Sequence, residues 1–283
     1  MNDDPVRAYA VMVDANEEQR KRLGLGENGA ERWSRSAQRF TADPHRAPDP
    51  NLSAILEYVR PEHVVIDVGG GAGRYGLPLA LRCRELINVE PSNGMGEAFE
   101  AAAKEAGIAN ARWVGADWED ATGIEGDVSL VVNVTYFVRD IVPFIEKLVS
   151  ASRERVIIAM TVTPPPNQSA GVFEALNDEP LAPVPGYREL LPVLWQMGIV
   201  PDVRVLAEAR PTSLGGPYAS KEEAIHAAAA SPSRTEAQLA AAGATLTPRF
   251  DALFEEVGGV YRVRPSGDAR FILVTWRTGE SQA

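Results

Sequence analysis

Residues 64–76 read VVIDVGGGAGRYG, an apolar run with one acid that passes into four glycines within five residues. The residues that follow, as far as Cys83, are typical of a helix. A buried strand, a tight turn and a helix N-terminus in this order bring backbone N–H groups against a ligand. Glycines suit such a turn because a Cβ would hold the ligand away from the backbone. The segment therefore predicts a ligand site at the end of a first parallel strand.

Two interpretations of these glycines compete. Gly71 to Gly76 match G-x-G-x-x-G, the dinucleotide fingerprint, which is a weak signal by itself. Asp67 argues against a dinucleotide, because a pyrophosphate repels a carboxylate beside it. With Asp67 included the segment reads D-x-G-x-G-x-G, with the acid at the mouth of the turn. A carboxylate there suits a cationic ligand, or a ligand with an amino group and no phosphate.

This longer pattern resembles the first motif of the class I S-adenosylmethionine-dependent methyltransferases, (D/E)-x-G-x-G-x-G. A second motif follows at 86–90, a short apolar strand that ends in Glu90. The resemblance implies that Glu90 binds both ribose hydroxyls of the cofactor. One carboxylate facing two hydroxyl donors is a good bidentate match.

Two later segments extend the resemblance. Residues 113–118, WVGADW, are similar to a third motif, in which Asp117 would take the exocyclic amine of adenine. Trp118 would pack near the adenine ring or belong to the core, and both interpretations stay open. Residues 128–138 resemble the fourth strand and exit loop of members that act on small molecules. Four motifs in the right order are far more specific than one.

The resemblance implies an α/β fold, a doubly wound, mostly parallel seven-stranded Rossmann-like sheet with an antiparallel last strand. It also implies S-adenosylmethionine as cofactor, with S-adenosylhomocysteine as product. In such sheets ligands bind at the carboxyl ends of the strands, and His63, which starts the first strand, is therefore interpreted as structural. The predicted cofactor-binding residues are Asp67, Gly69, Gly71, Gly73, Glu90, Pro91, Met95, Asp117, Trp118 and Asn133.

Strand and helix patterns alternate from residue 64 to residue 161, which indicates parallel strands with right-handed crossovers. The predicted strands are 64–68, 86–90, 111–114, 128–133 and 155–161, and the predicted helices are 74–83, 95–106 and 140–151. A further helix is predicted at 187–197 and two final strands at 203–207 and 271–275, which the family would pair as an antiparallel hairpin.

The additions to this regular core are where specificity is expected. Residues 1–50 are predicted to form a helical lead-in or lid, and residues 51–276 the methyltransferase domain. A helical insertion is predicted at about 212–258, before the last strand. Its helices are expected at 221–230, 233–242 and 247–257, whereas the proline run at 163–167 predicts a loop.

Composition limits the function classes. A net charge of −11 over 283 residues argues against general nucleic-acid binding. Arginines concentrated at 20–46 are interpreted as a solvated helical face, with an entry rim for an anionic substrate as the alternative. Cys83 is the only cysteine, which excludes an intrachain disulfide and a cysteine metal cluster, and no metal is predicted. Without a long apolar run, we expect a cytoplasmic protein that binds no membrane, and a homodimer stays open.

Catalysis by this family is an in-line displacement on the methyl group, and a general base is needed only for a protonated acceptor. Three residues are weak catalytic candidates: Tyr136 after the fourth strand, His45 in the lead-in and His226 in the insertion. For both histidines, an exposed residue without a role is the favoured alternative. Trp33 and Phe40 would form either an apolar lid or, preferably, the seam that docks the lead-in.

The acceptor is predicted to be a small molecule. Residues 133–136, NVTY, keep only the ends of the Asn/Asp-Pro-Pro-Tyr motif that the family uses on nucleobases and protein amides. Three alternatives stay open. These are a non-catalytic cofactor-binding module, a nicotinamide-dependent oxidoreductase that uses Gly71, Gly73 and Gly76, and an aminopropyltransferase. The arginines of the lead-in disfavour the last, because its polyamine substrate is a polycation.

Overall fold

The computed structural model describes residues 4–25, 34, 37–206, 216–230 and 234–279. Nine strands form within these residues. They are β1 (Val64–Val68), β2 (Glu85–Val89), β3 (Ala111–Val114), β4 (Gly126–Val132), β5 (Ser152–Thr161), β6 (Asp202–Val205), β7 (Phe254–Val257), β8 (Val260–Val263) and β9 (Phe271–Arg277). Ala207, the predicted end of β6, lies outside the described residues.

Seven of the strands form the central sheet, in the order β3-β2-β1-β4-β5-β9-β6. Strands β1 to β5 pair in parallel, and β9 runs antiparallel to both β5 and β6. The predicted doubly wound, mostly parallel sheet with a reversed last strand is therefore confirmed. In such a sheet the order changes direction at β1, so the carboxyl ends of β1, β2 and β4 surround one crevice.

Helices flank this sheet. They are α1 (Pro5–Arg22), α2 (Pro50–Leu56), α3 (Gly76–Ala80), α4 (Asn93–Glu105), α5 (Ile141–Ala151), α6 (Pro165–Gln168), α7 (Ala170–Asn177), α8 (Tyr187–Gln196), α9 (Lys221–Ala229), α10 (Glu236–Leu246) and α11 (Phe250–Leu253). Short 3₁₀ turns lie at Ala37–Phe40, Thr135–Phe137 and Thr247–Arg249. None of the helices in the described part of the chain is long and apolar enough to cross a membrane.

Strand β1 divides the core into two layers because successive side chains point to opposite faces. Val64, Ile66 and Val68 pack in the layer built by α1, α5 and α8. Val65 packs in the other layer, against α2, α3 and α4, and Asp67 points to this same face. All five residues are buried, so Asp67 is a carboxyl group inside an otherwise apolar strand.

The lead-in helix α1 is fastened to the carboxyl edge of the sheet. Its Tyr9 is buried in the core, and the Tyr9 hydroxyl donates a hydrogen bond of 2.7 Å to the carbonyl of Thr135, just after β4. Asp14 pairs with Arg139 at 2.7 Å beside the same turn. The helix therefore covers the edge of the sheet at which a ligand site is expected.

The insertion before β9 differs from its prediction. The sequence predicts one helix over 247–257, but the chain forms a 3₁₀ turn and α11 and then enters the β7–β8 hairpin. Gly258 and Gly259 make the turn, with φ of 64° and 81°. Two consecutive glycines with positive φ favour a two-residue turn that matches strand twist, which outweighs weak helical propensity. The predicted end of the insertion at 258 falls inside this turn.

The proline run at 163–167 also differs from its prediction. It was expected to form a loop, yet α6 begins at Pro165 and α7 follows at Ala170. Proline is tolerated in the first turn of a helix, since its missing N–H would have no intrahelical partner there. Helix α3, at Gly76–Ala80, is shorter than the helix predicted at 74–83.

Candidate functional site

The glycine loop between β1 and α3 has the geometry that its sequence predicts. Gly69, Gly71 and Gly73 have φ of 67°, 55° and 84°, in the left-handed region that favours glycine. Gly69 to Gly71 are half-buried, so part of their backbone is open to solvent. A Cβ on Gly71 would have only the Met95 sulfur nearby, at 3.7 Å. The loop thus presents an open backbone beside Met95.

Glu90 joins this loop to helix α4. One of its carboxylate oxygens accepts a hydrogen bond from the Gly71 N–H at 3.1 Å, and the other accepts from the Ser92 N–H at 2.9 Å. Burial raises the pKa of Glu90, and the two backbone hydrogen bonds act in the opposite direction. Each carboxylate oxygen has a further lone pair, so Glu90 can accept two more hydrogen bonds from a diol. Pro91, half-buried, separates Glu90 from Ser92.

Asp67 lies beneath the glycine loop rather than at its mouth. Only 1% of the residue is exposed, and a Cβ on Gly70 or Gly76 would collide with its carboxyl group. Burial, followed by the charge of Glu90, raises the pKa of Asp67 to about 7. The carboxyl group is therefore covered by the glycine loop, whereas the sequence places it at the mouth of the turn. The physical reason is the strand alternation, which points Asp67 into the layer of α3.

The loop after β3 separates its two predicted site residues. Asp117 is exposed, and its charge lies close enough to Glu90 to raise the pKa of that carboxyl group. Trp118 is 3% exposed, packs in the core, and donates from its ring nitrogen to the carbonyl of Phe144 on α5 at 3.4 Å. Of the two interpretations of Trp118, the structure favours the core aromatic.

Lys147 on α5 holds this loop, and the sequence reasoning missed it. Its ammonium donates to the carbonyls of Trp118, Glu119 and Ala121 at 2.5–2.9 Å. It also lies 5.0 Å from the centre of the Trp118 ring. No local pattern marks Lys147, because its partners lie at least 26 residues away in the chain. Only the packing of α5 against the loop brings them together.

The chain after β4 turns sharply toward the glycine loop. Asn133 has φ of 57°, a conformation that asparagine tolerates better than most residues. Its side-chain oxygen accepts from the Thr161 N–H at 3.3 Å. Val134 then packs so closely on the loop that a Cβ on Gly69 would lie 2.6 Å from it. Tyr136 follows at the same edge, 4% exposed and edge-to-face with Phe137.

Part of the lead-in covers the start of α4. The Ser34 hydroxyl lies 2.8 Å from the Ser92 hydroxyl and accepts from the Gly94 N–H at 3.3 Å. Met95, 3% exposed, packs with Ala72 of the glycine loop and with the 3₁₀ turn Ala37–Phe40. Phe40 thus docks the lead-in as the seam interpretation expected, whereas Trp33 lies outside the described residues.

The histidines lie apart from these residues. The His45 ring is 3.1 Å from the carbonyl of Ala106, beyond the far end of α4, which is about 20 Å long. His226 is exposed on α9, which packs mainly on α10 and β8. His63 is buried and accepts from the Arg60 N–H at 3.1 Å, in the structural role expected. The structure therefore does not bring the catalytic candidates His45 and His226 to the site.

Two arginines of the lead-in, Arg22 and Arg46, are engaged in protein contacts. Arg22 pairs with Glu179 at 2.6 Å. Arg46 donates to the carbonyl of Arg74 at 2.8 Å and to that of Asp43 at 3.1 Å. These contacts fasten the lead-in to the rest of the fold, so the two arginines belong to neither a purely solvated face nor a free entry rim.

Sequence comparison gives a partial match to an uncharacterized protein. No known family model matches the chain. An uncharacterized protein of Haemophilus influenzae is 28% identical over 175 residues, and the match spans 59% of this chain and 63% of that protein. The chain thus aligns with less than two thirds of the length of this curated relative.

Two solved structures are similar in fold. The YcgJ protein of Bacillus subtilis is 15% identical, with a TM-score of 0.55 over 82% of this chain and 99% of that one. BH2331 of Bacillus halodurans, a proposed methyltransferase, is 12% identical, with a TM-score of 0.54 over 81% of this chain and 99% of that one. The chain has the Rossmann-like fold of the class I S-adenosylmethionine-dependent methyltransferases.

Proposed function

We propose that this protein is an S-adenosylmethionine-dependent methyltransferase that acts on a small-molecule acceptor. The observation that carries the proposal is the position of Glu90, which joins the glycine loop to the start of α4 at the carboxyl end of β2. There it can accept hydrogen bonds from both ribose hydroxyls while it holds the loop in place. A fold alone does not define a function, so the proposal rests on this site.

The residues around Glu90 fit the parts of S-adenosylmethionine. The open backbone of Gly69 and Gly71 would face its amino-acid part, since no Cβ intervenes. Asp117, exposed and near Glu90, would accept from the amine of adenine. Pro91, which is half-buried, would border the adenine ring with apolar surface. When bound, the cofactor supplies an electrophilic methyl group on a sulfonium.

The protein's contribution to catalysis would be orientation. Helix α1, fastened through Tyr9 and Arg139, and the turn of Asn133 would hold an acceptor in line with the methyl group. Good orientation of the reactants lowers the activation barrier by on the order of 7–11 kcal/mol. Tyr136, at the same edge, is the remaining candidate from the sequence for a contact with the acceptor. The α1 cover and the net charge of −11 favour a small acceptor over a nucleic acid.

A non-catalytic module that binds S-adenosylmethionine is the second candidate. It is favoured by the positions of His45 and His226, since neither histidine is available at the site as a general base. Methyl transfer to an acceptor that arrives deprotonated needs no base, so the enzyme remains the first candidate. A turnover measurement separates the two.

The experiment that tests the proposed function is calorimetric titration with S-adenosylmethionine, S-adenosylhomocysteine and NADH in parallel. We expect micromolar binding of the first two ligands and none of NADH. Transfer of a labelled methyl group is then measured against panels of small acidic and aromatic acceptors, RNA and unfolded protein. Transfer to a small molecule supports the enzyme, and binding without transfer to any panel supports the non-catalytic module. Binding of NADH alone would overturn the proposal in favour of an oxidoreductase.

Replacing Lys147 with methionine is expected to weaken S-adenosylhomocysteine binding about tenfold, because the loop of Asp117 loses three hydrogen bonds while the apolar stem is kept. Hydrogen bonds to a charged group contribute about 1.5–3 kcal/mol each, so a lower Tm is also expected. Titration calorimetry and thermal unfolding measure the two effects. Lys104→Met, on the exposed last turn of α4, is the matched control. Equal affinity in both variants would show that Lys147 does not position the loop.

A further inference from the structure

A buried amide lies directly under the glycine loop. Asn88 on β2 is 0% exposed and stands opposite Asp67 in the pairing of β1 with β2. Its side-chain nitrogen donates to the carbonyl of Gly71 at 3.0 Å. Both backbone polar groups of Gly71 are therefore held, since its N–H donates to Glu90. Glu90 follows directly after β2, two residues beyond Asn88, and both side chains reach Gly71.

Next to this amide the structure has more hydrogen-bond acceptors than donors. Both Asp67 oxygens and the Asn88 side-chain oxygen are buried, and none of them meets a donor among the described residues. A Cβ on Gly70 would collide with an oxygen of each, so the two side chains are neighbours. An ionised carboxylate without partners is costly in such a place. One proton on Asp67 makes it a donor to the Asn88 oxygen.

The surroundings of Asp67 favour the protonated form of its carboxyl group. The glycine loop and α3 face it with Gly70 and Gly76, and β4 pairs with it at Leu130, all without charge. Glu90, directly after β2, is the charged group that acts on Asp67, and it is negative. Within the described residues no cation compensates the charge. Burial and Glu90 together raise the pKa of Asp67 to about 7.

We propose that Asn88 is a positioning residue which, with a proton-bearing Asp67, holds the backbone of Gly71 against Glu90 as a clamp and so sets the affinity for the cofactor. The Asp67 hydroxyl donates to the Asn88 oxygen, the Asn88 nitrogen donates to the Gly71 carbonyl, and the Gly71 N–H donates to Glu90. The acid of the glycine motif then supports the loop from below instead of contacting the ligand. The link to affinity rests on the proposed function, whereas the clamp itself is a property of the unliganded fold.

The test replaces Asn88 with aspartate, which keeps the shape and loses the N–H donors. At about pH 8 the new carboxylate repels the Gly71 carbonyl, and binding of S-adenosylhomocysteine is expected to weaken about tenfold or more. Burial beside Asp67 and Glu90 should raise the pKa of the new carboxyl group, so at about pH 5.5 it can carry a proton and donate again, and most of the affinity should return. Titration calorimetry at both pH values measures this. The same affinity as the unmodified protein at pH 8 would overturn the proposal.

Asn110 offers a matched control. Its side-chain nitrogen donates to the carbonyls of Ala80 and Cys83, at the amino-terminal edge of the sheet and away from the site. Asn110→Asp makes the same chemical change and should lower Tm, while the affinity of the folded protein stays constant at both pH values. A loss of affinity equal to that of Asn88→Asp would reduce the role of Asn88 to general stability and contradict the proposal.

Variants of Asp67 test whether this residue carries a proton in the folded protein. Because the pKa of Asp67 is raised in the folded state, the folded protein holds a proton that the unfolded chain releases, and stability falls as pH rises through about 7. Asp67→Asn keeps a donor without charge, so its Tm should rise relative to the unmodified protein above that pH. It should also bind S-adenosylhomocysteine at least about ten times more tightly than Asp67→Ala. Parallel pH profiles of Tm for Asp67→Asn and the unmodified protein would overturn the proposal.

The two readouts separate failure of the clamp from failure of the proposed function. If the unmodified protein binds no S-adenosylhomocysteine, the proposed function fails, and the clamp is judged by the pH profiles of Tm alone. If the ligand binds but Asn88→Asp shows no pH-dependent loss, the clamp fails and the function stands.

Discussion

Replacing Glu90 with alanine is expected to weaken binding of S-adenosylhomocysteine about a hundredfold or more. The change removes the acceptor for two ribose hydroxyls and frees the backbone N–H groups of Gly71 and Ser92. Hydrogen bonds to a charged group contribute about 1.5–3 kcal/mol each, and every 1.4 kcal/mol is about tenfold in affinity. Calorimetric titration measures the loss. Glu90→Gln should lie between alanine and the unmodified protein, since one acceptor oxygen remains.

Glu85→Ala is the matched control for this prediction. Glu85 begins the same strand at the opposite edge of the sheet, where its carboxylate pairs with Arg112 at 2.9 Å. Exposed pairs of this kind contribute little, about 0–1 kcal/mol, so affinity and Tm should change only slightly. If Glu90→Ala bound the ligand within about threefold of Glu85→Ala, the proposed ribose site would be wrong.

Replacing Gly73 with alanine is expected to lower the free energy of unfolding severely. The residue has φ of 84°, and a Cβ there would lie 2.7 Å from both Leu77 and Phe99 in the core. A left-handed conformation costs an ordinary residue about 1–2 kcal/mol, and overpacking a core costs about 1–3 kcal/mol more. We expect a large fall in Tm and a displaced glycine loop, measured by thermal unfolding and titration calorimetry.

Gly107→Ala separates the cost of the left-handed backbone from the cost of overpacking the core. Gly107 has φ of 69°, yet a Cβ there would meet nothing within 4 Å. This variant should show only the backbone cost and should bind S-adenosylhomocysteine as the unmodified protein does. An equal fall in Tm for both variants would mean that the contact with Leu77 and Phe99 is relieved without cost, against the prediction for Gly73.

The regular core could be predicted from the sequence because its signals are local. Strands β1 and β3 begin and end at the predicted residues, since apolar runs bounded by turns are typical of buried strands. The left-handed glycines follow from the motif itself. A glycine pair between two valines also marks the hairpin at Gly258 and Gly259, but the helical composition of 247–257 predicts a helix there.

The sequence by itself determined the sheet, the glycine loop and the place of Glu90, because these depend on residue order and backbone preference. The tertiary structure decided where side chains point and what they meet. Asp67 is buried under Gly70, Trp118 belongs to the core, and Lys147 holds a loop more than 25 residues away. Asn88, which no sequence pattern marks, donates a hydrogen bond to the carbonyl of Gly71. Such contacts join separate elements, so they exist only after packing has fixed which face of each strand is covered.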